Sequence, residues 1–363
     1  MTISSRTAMM LVGLLAVIGA GVGIVVELSS GPDAAVTPRG EAPPSPTAAR
    51  TSTPPIPTSP APTSPASAPG RSVGSGRSPF TGRSVAAGRP VLAVKIDNVR
   101  PARPQTGIGD ADVVYVEPVE GGLSRIMAIF SASLPRQVGP VRSARESDLE
   151  LLRQYGRPGL AYSGANRSVL ATVHAAPVVD LSPARKASAY HRSGSRPAPH
   201  NLFVDPRILL RRSPKLGVAQ DIGFRFGALP AGLGAPAIRK TVRYGAASTS
   251  FTWSAQRHRW QVTLDGRPAT TTDGGRLGAS TVVVQYTKIT SSHLHDVLGN
   301  PTPYTHTVGS GRALVLRDGT AIQARWSRPS ATAGTTFTTV SGAGLSFATG
   351  QVWVVYARSS TSG

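Results

Sequence analysis

The chain has 363 residues, with 39 Lys and Arg against 18 Asp and Glu, a formal net charge of +21, and no cysteine. The missing thiols exclude disulfides, thiolate catalysis, cysteine-ligated zinc and attachment through a lipid-modified cysteine. The positive charge favours polyanionic partners. Abundant Arg, Ala, Gly and Pro are also what a high-GC genome supplies, so charge alone names no partner.

Arg6 precedes AMMLVGLLAVIGAGVGIVV, residues 8 to 26, an uncharged and mostly apolar stretch. About 20 such residues span a bilayer as a helix. The stretch is long for a secretory signal and lacks a clear small-residue cleavage site. It predicts a signal anchor over 1–28, with the N-terminus cytoplasmic and the rest extracytoplasmic. The alternative is secretion after cleavage. Residues 29–78 are dominated by Pro, Ser, Thr and Ala. With almost no large apolar side chains they predict an extended, disordered linker.

The folded part is predicted from Pro79. PVLAVKIDN, 90 to 98, reads as a buried strand ending in Asp97 and Asn98. ADVVYVEPVEGGLSRIMAIFSA, 111 to 132, reads as two strands joined at Glu120-Gly121-Gly122. GPVRSAR, 139 to 145, follows. The spelling SARE predicts a capping box, with Ser143 as N-cap and Glu146 three residues on. The helix would run to about Tyr155, with Gly156 as its stop. GLAYSGA, 159 to 165, reads as a strand, Asn166 as the N-cap of RSVLATVHA, and VVDLS, 178 to 182, as another strand. HRSGSRPAPHN, 191 to 201, is a polar loop. Asp205-Pro206 opens the helix PRILLRRS.

After about Gly227 the periodicity becomes that of strands alone. FTWSAQRHRWQVTLDG, STVVVQYTKI, GRALVLRDGTAIQARWSR, TTFTTVSGAGLSF and QVWVVYA are the segments, and Asp318-Gly319 marks a hairpin. The predicted class is α/β. A mixed-sheet N-terminal domain, 79–227, precedes an antiparallel β-rich C-terminal domain, 228–363.

RPVLAVKIDNVRPARPQTGIGDADVVYVEPVEGGLSRIMAIF, GPVRSAR and the loop ending APHN resemble the N-terminal domain of the YerB-like proteins. VVVQYTKI, GSGRALVLRDGTAIQARW and GQVWVVYA resemble that family's C-terminal domain. The resemblance spans about residues 79 to 357. It implies an extracytoplasmic bacterial protein, in a family with lipoprotein members and domains of unknown function. It carries over no catalytic residue. Here a hydrophobic segment stands where lipoprotein members have a lipidated cysteine.

The candidate chemistry centres on arginines at predicted helix N-termini, where cations oppose the helix dipole. A bound anion would resolve that mismatch. Arg142, Arg145 and Arg167 are therefore the predicted anion ligands, joined by Arg125 from the start of the preceding strand if the hairpin brings it close, with Asp97, Asn98, Glu117, Glu120, His200 and Asn201 as polar partners. The competing reading is a structural network in which Glu146, Asp148 or the Glu117–Glu120 turn neutralises the arginines.

Asp97, Asp112, Glu117 and Glu120 contain a carboxylate pair for glycoside hydrolysis only if the fold brings two to the right separation. His200 beside Ser163 or Ser195 would suggest a hydrolase, but no G-x-S-x-G elbow is present. His293, His295, Asp296 and His306 allow metal-ligand spacing in what reads as a loop. The sequence implies no metal and no cofactor. Nucleic acid is the standing alternative for so basic a chain, but the predicted extracytoplasmic location, the 6% aromatics and the absence of a recognition motif argue against it. The leading expectation is a binding or scaffold module for an anionic envelope polymer or an envelope protein. The alternative is a hydrolase or transferase acting on such a polymer.

Overall fold

The structure is a computed structural model that describes residues 76–359, apart from 212, 214, 215 and 297. The predicted anchor and nearly all of the predicted linker lie outside these residues. Among the described residues no helix is long and apolar enough to cross a membrane.

The first half supplies strands β1 (Leu92–Asp97), β2 (Val113–Pro118), β3 (Ser124–Phe130), β4 (Gly159–Ala161) and β5 (Val179–Asp180). It also supplies helices α1 (Glu146–Leu152), α2 (Arg167–Ala175), α3 (Pro183–Lys186) and α4 (Pro206–Arg211), and the hairpin β6 (Tyr190–Arg192) and β7 (Leu202–Val204). β1 pairs antiparallel with β3 and parallel with β4, so this part of the sheet is mixed. Asn166 caps α2 as its sequence predicts, accepting the Ser168 N–H at 3.0 Å. Asp205 does the same for α4 through the N–H groups of Arg207 and Ile208.

The second half is strands throughout: β8 (Ala235–Pro236), β9 (Arg239–Arg243), β10 (Ser248–Ser254), β11 (Arg259–Leu264), β12 (Arg267–Pro268), β13 (Gly278–Ala279) and β14 (Thr281–Thr287), then β15 (Ile289–His295), β16 (Pro301–Thr305), β17 (Gly309–Arg317), β18 (Thr320–Arg328), β19 (Thr336–Thr339) and β20 (Val352–Arg358). Most of its pairings are antiparallel. Asp318 and Gly319 turn from β17 to β18 with φ of 48° and 73°, as the predicted hairpin requires.

The two halves share one 11-stranded sheet. β20 joins them, lying parallel to β14 on one side and to β2 on the other. Its residues Val352 to Tyr356 are all buried, the continuous apolar run expected of a strand covered on both faces. On one face the sheet of β9–β13 packs Phe251, Trp260 and Val262 against Trp353 and Val355. On the other, α1 and α2 bury Leu149, Leu152, Val169 and Val173 against Tyr115, Met127 and Val354. Period-2 alternation decides which residues of β1–β3 meet the helices. Lys95, Asp97, Glu117 and Arg125 point to that side.

Candidate functional site

Asp97, Arg125 and Glu117 stand in one cross-strand row at the ends of β1, β3 and β2. Residues 141–144 run extended beside them. Val141 bridges Ile96, the Arg142 N–H donates to Lys95 O at 2.9 Å, and the Ala144 N–H donates to Gly164 O at 3.1 Å. This pairing holds the backbone out of the helical region until Arg145. The N-cap is therefore Arg145, not Ser143, and Asp148 takes the reciprocal role by accepting the Arg145 N–H at 2.7 Å. Neither arginine of GPVRSAR sits inside the first helical turn. The site lies at the carboxyl ends of the parallel pair β1 and β4, where open α/β sheets place ligands.

Each predicted carboxylate has a partner. Asp97, 1% exposed, receives His200 Nδ1 at 2.7 Å and lies 3.0 Å from Arg142 Nε, both on Oδ2. Glu120 is gripped by Arg145, with Nε to Oε1 and Nη2 to Oε2 both at 2.7 Å, and by the Thr302 hydroxyl at 2.7 Å. Burial pushes the Glu120 carboxyl up. The Arg145 hydrogen bond and charge outweigh it and leave the pKa lowered. Glu117 pairs with Lys95, which also donates to Asp148 at 2.7 Å. Lys95 and Asp148 are fully buried, and burial lowers the Lys95 pKa against the pull of Asp148. Arg145 is thus neutralised by Glu120 of the acidic turn, whereas Arg142 pairs with Asp97, which the network reading did not name.

Arg125 differs. No carboxylate lies within ion-pair distance of it among the described residues, and its one hydrogen bond, to Ser143 O, is 3.4 Å long. Burial pushes its pKa down to about 10. The neighbouring charges of Arg145 and Arg142 add to that, and Glu120 and Asp97 oppose it. Arg142 and Arg145 keep 21% and 14% of their side chains exposed, so the cluster reaches solvent.

Other predicted residues are placed elsewhere. Arg167 is exposed on α2, and its side chain makes no hydrogen bond or ion pair among the described residues. Asn98 is buried, bridging Ser124 Oγ, Gln105 and Arg103. Asn201 turns into its own hairpin, accepting from Arg192 and donating to Ser193 O. Ser163 contributes its backbone N–H to Arg142 O, and Ser195 pairs with Ser193. Neither bonds to His200. The segment read as a loop around His293 and His295 is strand β15, with both imidazoles exposed. Asp296 accepts from Leu298 and Asn300, and His306 bonds Thr290. Among the described residues no group of three such ligands could hold a metal.

Asp112 lies at the opposite end of β2, accepting the N–H groups of Ser131 and Ala132 at 2.6 and 2.8 Å. Burial raises its pKa to about 6. The native state then holds a proton that the unfolded chain has released. Asp112 therefore stabilises most below about pH 4, and that contribution falls as pH rises to about 6. The stability difference between the protein and Asp112→Asn should shrink across that window by up to about 3 kcal/mol, measured by urea unfolding at each pH. A pH-independent difference would contradict the buried-proton account.

Lys95, Arg103 and Thr302 are missing from the sequence-derived set. Lys95 had a legible signal, as a lone charge in the middle of a buried apolar strand. Thr302 meets Glu120, and Arg103 meets Asp265, only through long-range packing.

Two family models match the chain. The family model described as the N-terminal domain of a protein of unknown function (DUF3048) matches residues 78–219, and the corresponding C-terminal domain matches 240–354. The chain belongs to the YerB-like family. A Bacillus subtilis (strain 168) protein named "Putative lipoprotein YerB" is 49% identical over 55 residues, 15% of this chain. That match spans only 17% of the relative's length. The crystal structure of YerB from Bacillus subtilis superposes with a TM-score of 0.65 at 19% identity, covering 77% of this chain and 96% of the other. At that identity the likeness establishes the fold. The family's domains are of unknown function, and the site's chemistry must be argued from its own residues.

Proposed function

We propose that this protein is a membrane-associated, extracytoplasmic binding module that takes an anionic group of a cell-envelope component at Arg125, between Arg142 and Arg145. The observation that carries this is the unpaired, part-buried guanidinium of Arg125. A half-buried cation with no counter-ion is costly, and a bound anion removes the cost. Arg142 and Arg145 are held by Asp97 and Glu120, so they frame the site without collapsing onto it. Guanidinium groups suit the bidentate recognition of carboxylate or phosphate. A relative named as a lipoprotein supports the membrane side of the reading. In this chain residues 8–26 would be the anchor and 29–78 the tether.

Titration of the full-length protein with inorganic phosphate and glycerol phosphate tests the site. Arg125→Gln should weaken binding by about 10-fold or more, the loss of one charged hydrogen-bonding group. The unligated variant should unfold no earlier than the parent, since a desolvated charge has been removed. Equal binding by both would sink the proposal.

One observation favours a second reading, a hydrolase or transferase on the same polymer. The Asp97 carboxylate lies 2.7 Å from His200 Nδ1, which orients the ring and turns Nε2 away from Asp97. That is the arrangement of an oriented general base. Glu117 and Glu120 are committed to Lys95 and Arg145, so on this reading His200 carries the proton transfer. Incubation with isolated wall polymer should then release fragments, and His200→Gln should abolish the release while leaving binding intact.

A further inference from the structure

We propose that a second cavity, lined by Arg100, Arg103 and Arg267, is a further anion subsite. The ligand is then a polyanion with repeated phosphate or carboxylate groups rather than a single small anion. This rests on the reading of Arg125 as the first anion site.

The cavity encloses about 210 Å³, and its walls come from both halves of the chain. Arg100, Arg103 and Gln105 belong to the segment that follows β1, whereas Arg267 and Thr270 belong to β12 and its continuation. Among the described residues no carboxylate lines it. The acid in contact with its arginines is Asp265, whose Oδ2 accepts from Arg103 at 2.9 Å while Oδ1 accepts the Ser248 N–H at 2.7 Å. Both oxygens of Asp265 are thereby used. Arg100 and Arg267 are exposed, and their side chains have no hydrogen-bond or ion-pair partner among the described residues. Arg100 and Arg267 thus line a small concave space beside Arg103, whose guanidinium is held by Asn98 and by the one counter-charge, Asp265. Such a space concentrates anions, because field lines focus between low-dielectric walls. Its volume is below that of a typical small-molecule pocket and suits one charged group with part of its carrier.

The two sites share a scaffold. Arg103 donates to Asn98 Oδ1 at 3.3 Å and to Asn98 O, and the Asn98 amide donates to Ser124 Oγ at 3.0 Å. Ser124 directly precedes Arg125. Gln105 ties the same Asn98 to Asp97 O. The loop carrying His200 is pinned alongside, where Arg196 donates to Ala102 O and Pro104 O, both at 2.6 Å. Few residues separate the subsites, and most of those are buried and hydrogen-bonded. A chain of regularly spaced anions can therefore occupy both.

The test compares a glycerol phosphate monomer with a phosphodiester-linked hexamer in equilibrium binding to the full-length protein. An oligoglucuronate of equal length is the carboxylate arm. A linked second anion should raise affinity by at least about 10-fold over the monomer for one of the two oligomers. That advantage should shrink with added salt. The Arg100→Ala, Arg267→Ala double variant should keep monomer binding at the Arg125 site and lose the oligomer advantage. Arg125→Gln should weaken monomer and oligomer alike. A double variant that keeps the advantage, or equal binding of monomer and both oligomers, overturns the second subsite. Monomer binding at parent affinity that survives Arg125→Gln combined with the double variant instead overturns the first site. Failure of every probe to bind overturns both.

Discussion

Lys95→Met is expected to destabilise the protein by about 3–5 kcal/mol, read as a lower urea midpoint. Lys95 is completely buried in β1, where it faces Glu117 on β2 and Asp148 on α1. Removing the ammonium leaves two buried carboxylates uncompensated, the larger of the two penalties a buried ion pair can inflict. The lost attraction between the partners matters less. Adding Glu117→Gln and Asp148→Asn to Lys95→Met removes the stranded charges, and most of the loss should return. The amide oxygen introduced by Asp148→Asn can still accept the Arg145 N–H that caps α1. A single variant as stable as the parent would show that the triad carries no net charge in the folded state.

Arg328→Met is expected to cost about 3 kcal/mol or more, from stranded buried carbonyls at about 1–3 kcal/mol each. Arg328, 0% exposed at the end of β18, donates to the carbonyls of Glu150, Leu151, Ala331 and Ala333 and to the Thr307 hydroxyl. Two of those carbonyls lie in the last turn of α1, and that of Leu151 also accepts from Gln154 Nε2 at 3.2 Å. A cation there also complements the helix dipole. Arg328→Lys should recover little, because an ammonium offers three donors from one point where the guanidinium spreads five over a plane. Thermal unfolding of the three proteins checks both statements. The substitution should also weaken anion binding, because α1 begins at Arg145 and Arg328 anchors its far end. Recovery by lysine would mean that charge, and not the fork of donors, holds the helix.

Much of the site was legible as a set of residues but not as a set of pairs. Arg125, Arg142, Arg145, Asp97, Glu117, Glu120 and His200 do converge. The capping-box spelling pointed to Ser143, yet the cap moved to Arg145, because residues 141–144 are bound to β1 and to the loop after β4. Local helix-capping preference is worth about 1 kcal/mol, less than several backbone hydrogen bonds that hold the chain extended. Arg167 carried the same local signature as Arg145 and remains solvent-facing. An N-terminal turn does not by itself determine what its side chain meets. His293 and His295 read as loop residues because their segment sits between predicted strands. The strand forms all the same, paired with β16 through an irregular register.

By itself the sequence determined the local structure. The strands of alternating or continuous apolar residues, the caps at Asn166 and Asp205, the turn at Asp318-Gly319 and the change from mixed to strand-only structure near Gly227 all follow from interactions between near neighbours. So did the family, whose motifs are contiguous blocks. Only the tertiary structure decided which charges neutralise which. Arg145 finds Glu120 across 25 residues, Lys95 finds Asp148 across 53 and His200 finds Asp97 across 103, while Arg125 is left without a partner among the described carboxylates. It likewise decided that β20 closes both halves into one sheet. The physical reason is range. Backbone preference acts over a few residues, whereas a buried charge interacts with whatever the folded sheet places within a few ångströms of it, wherever that residue lies in the chain.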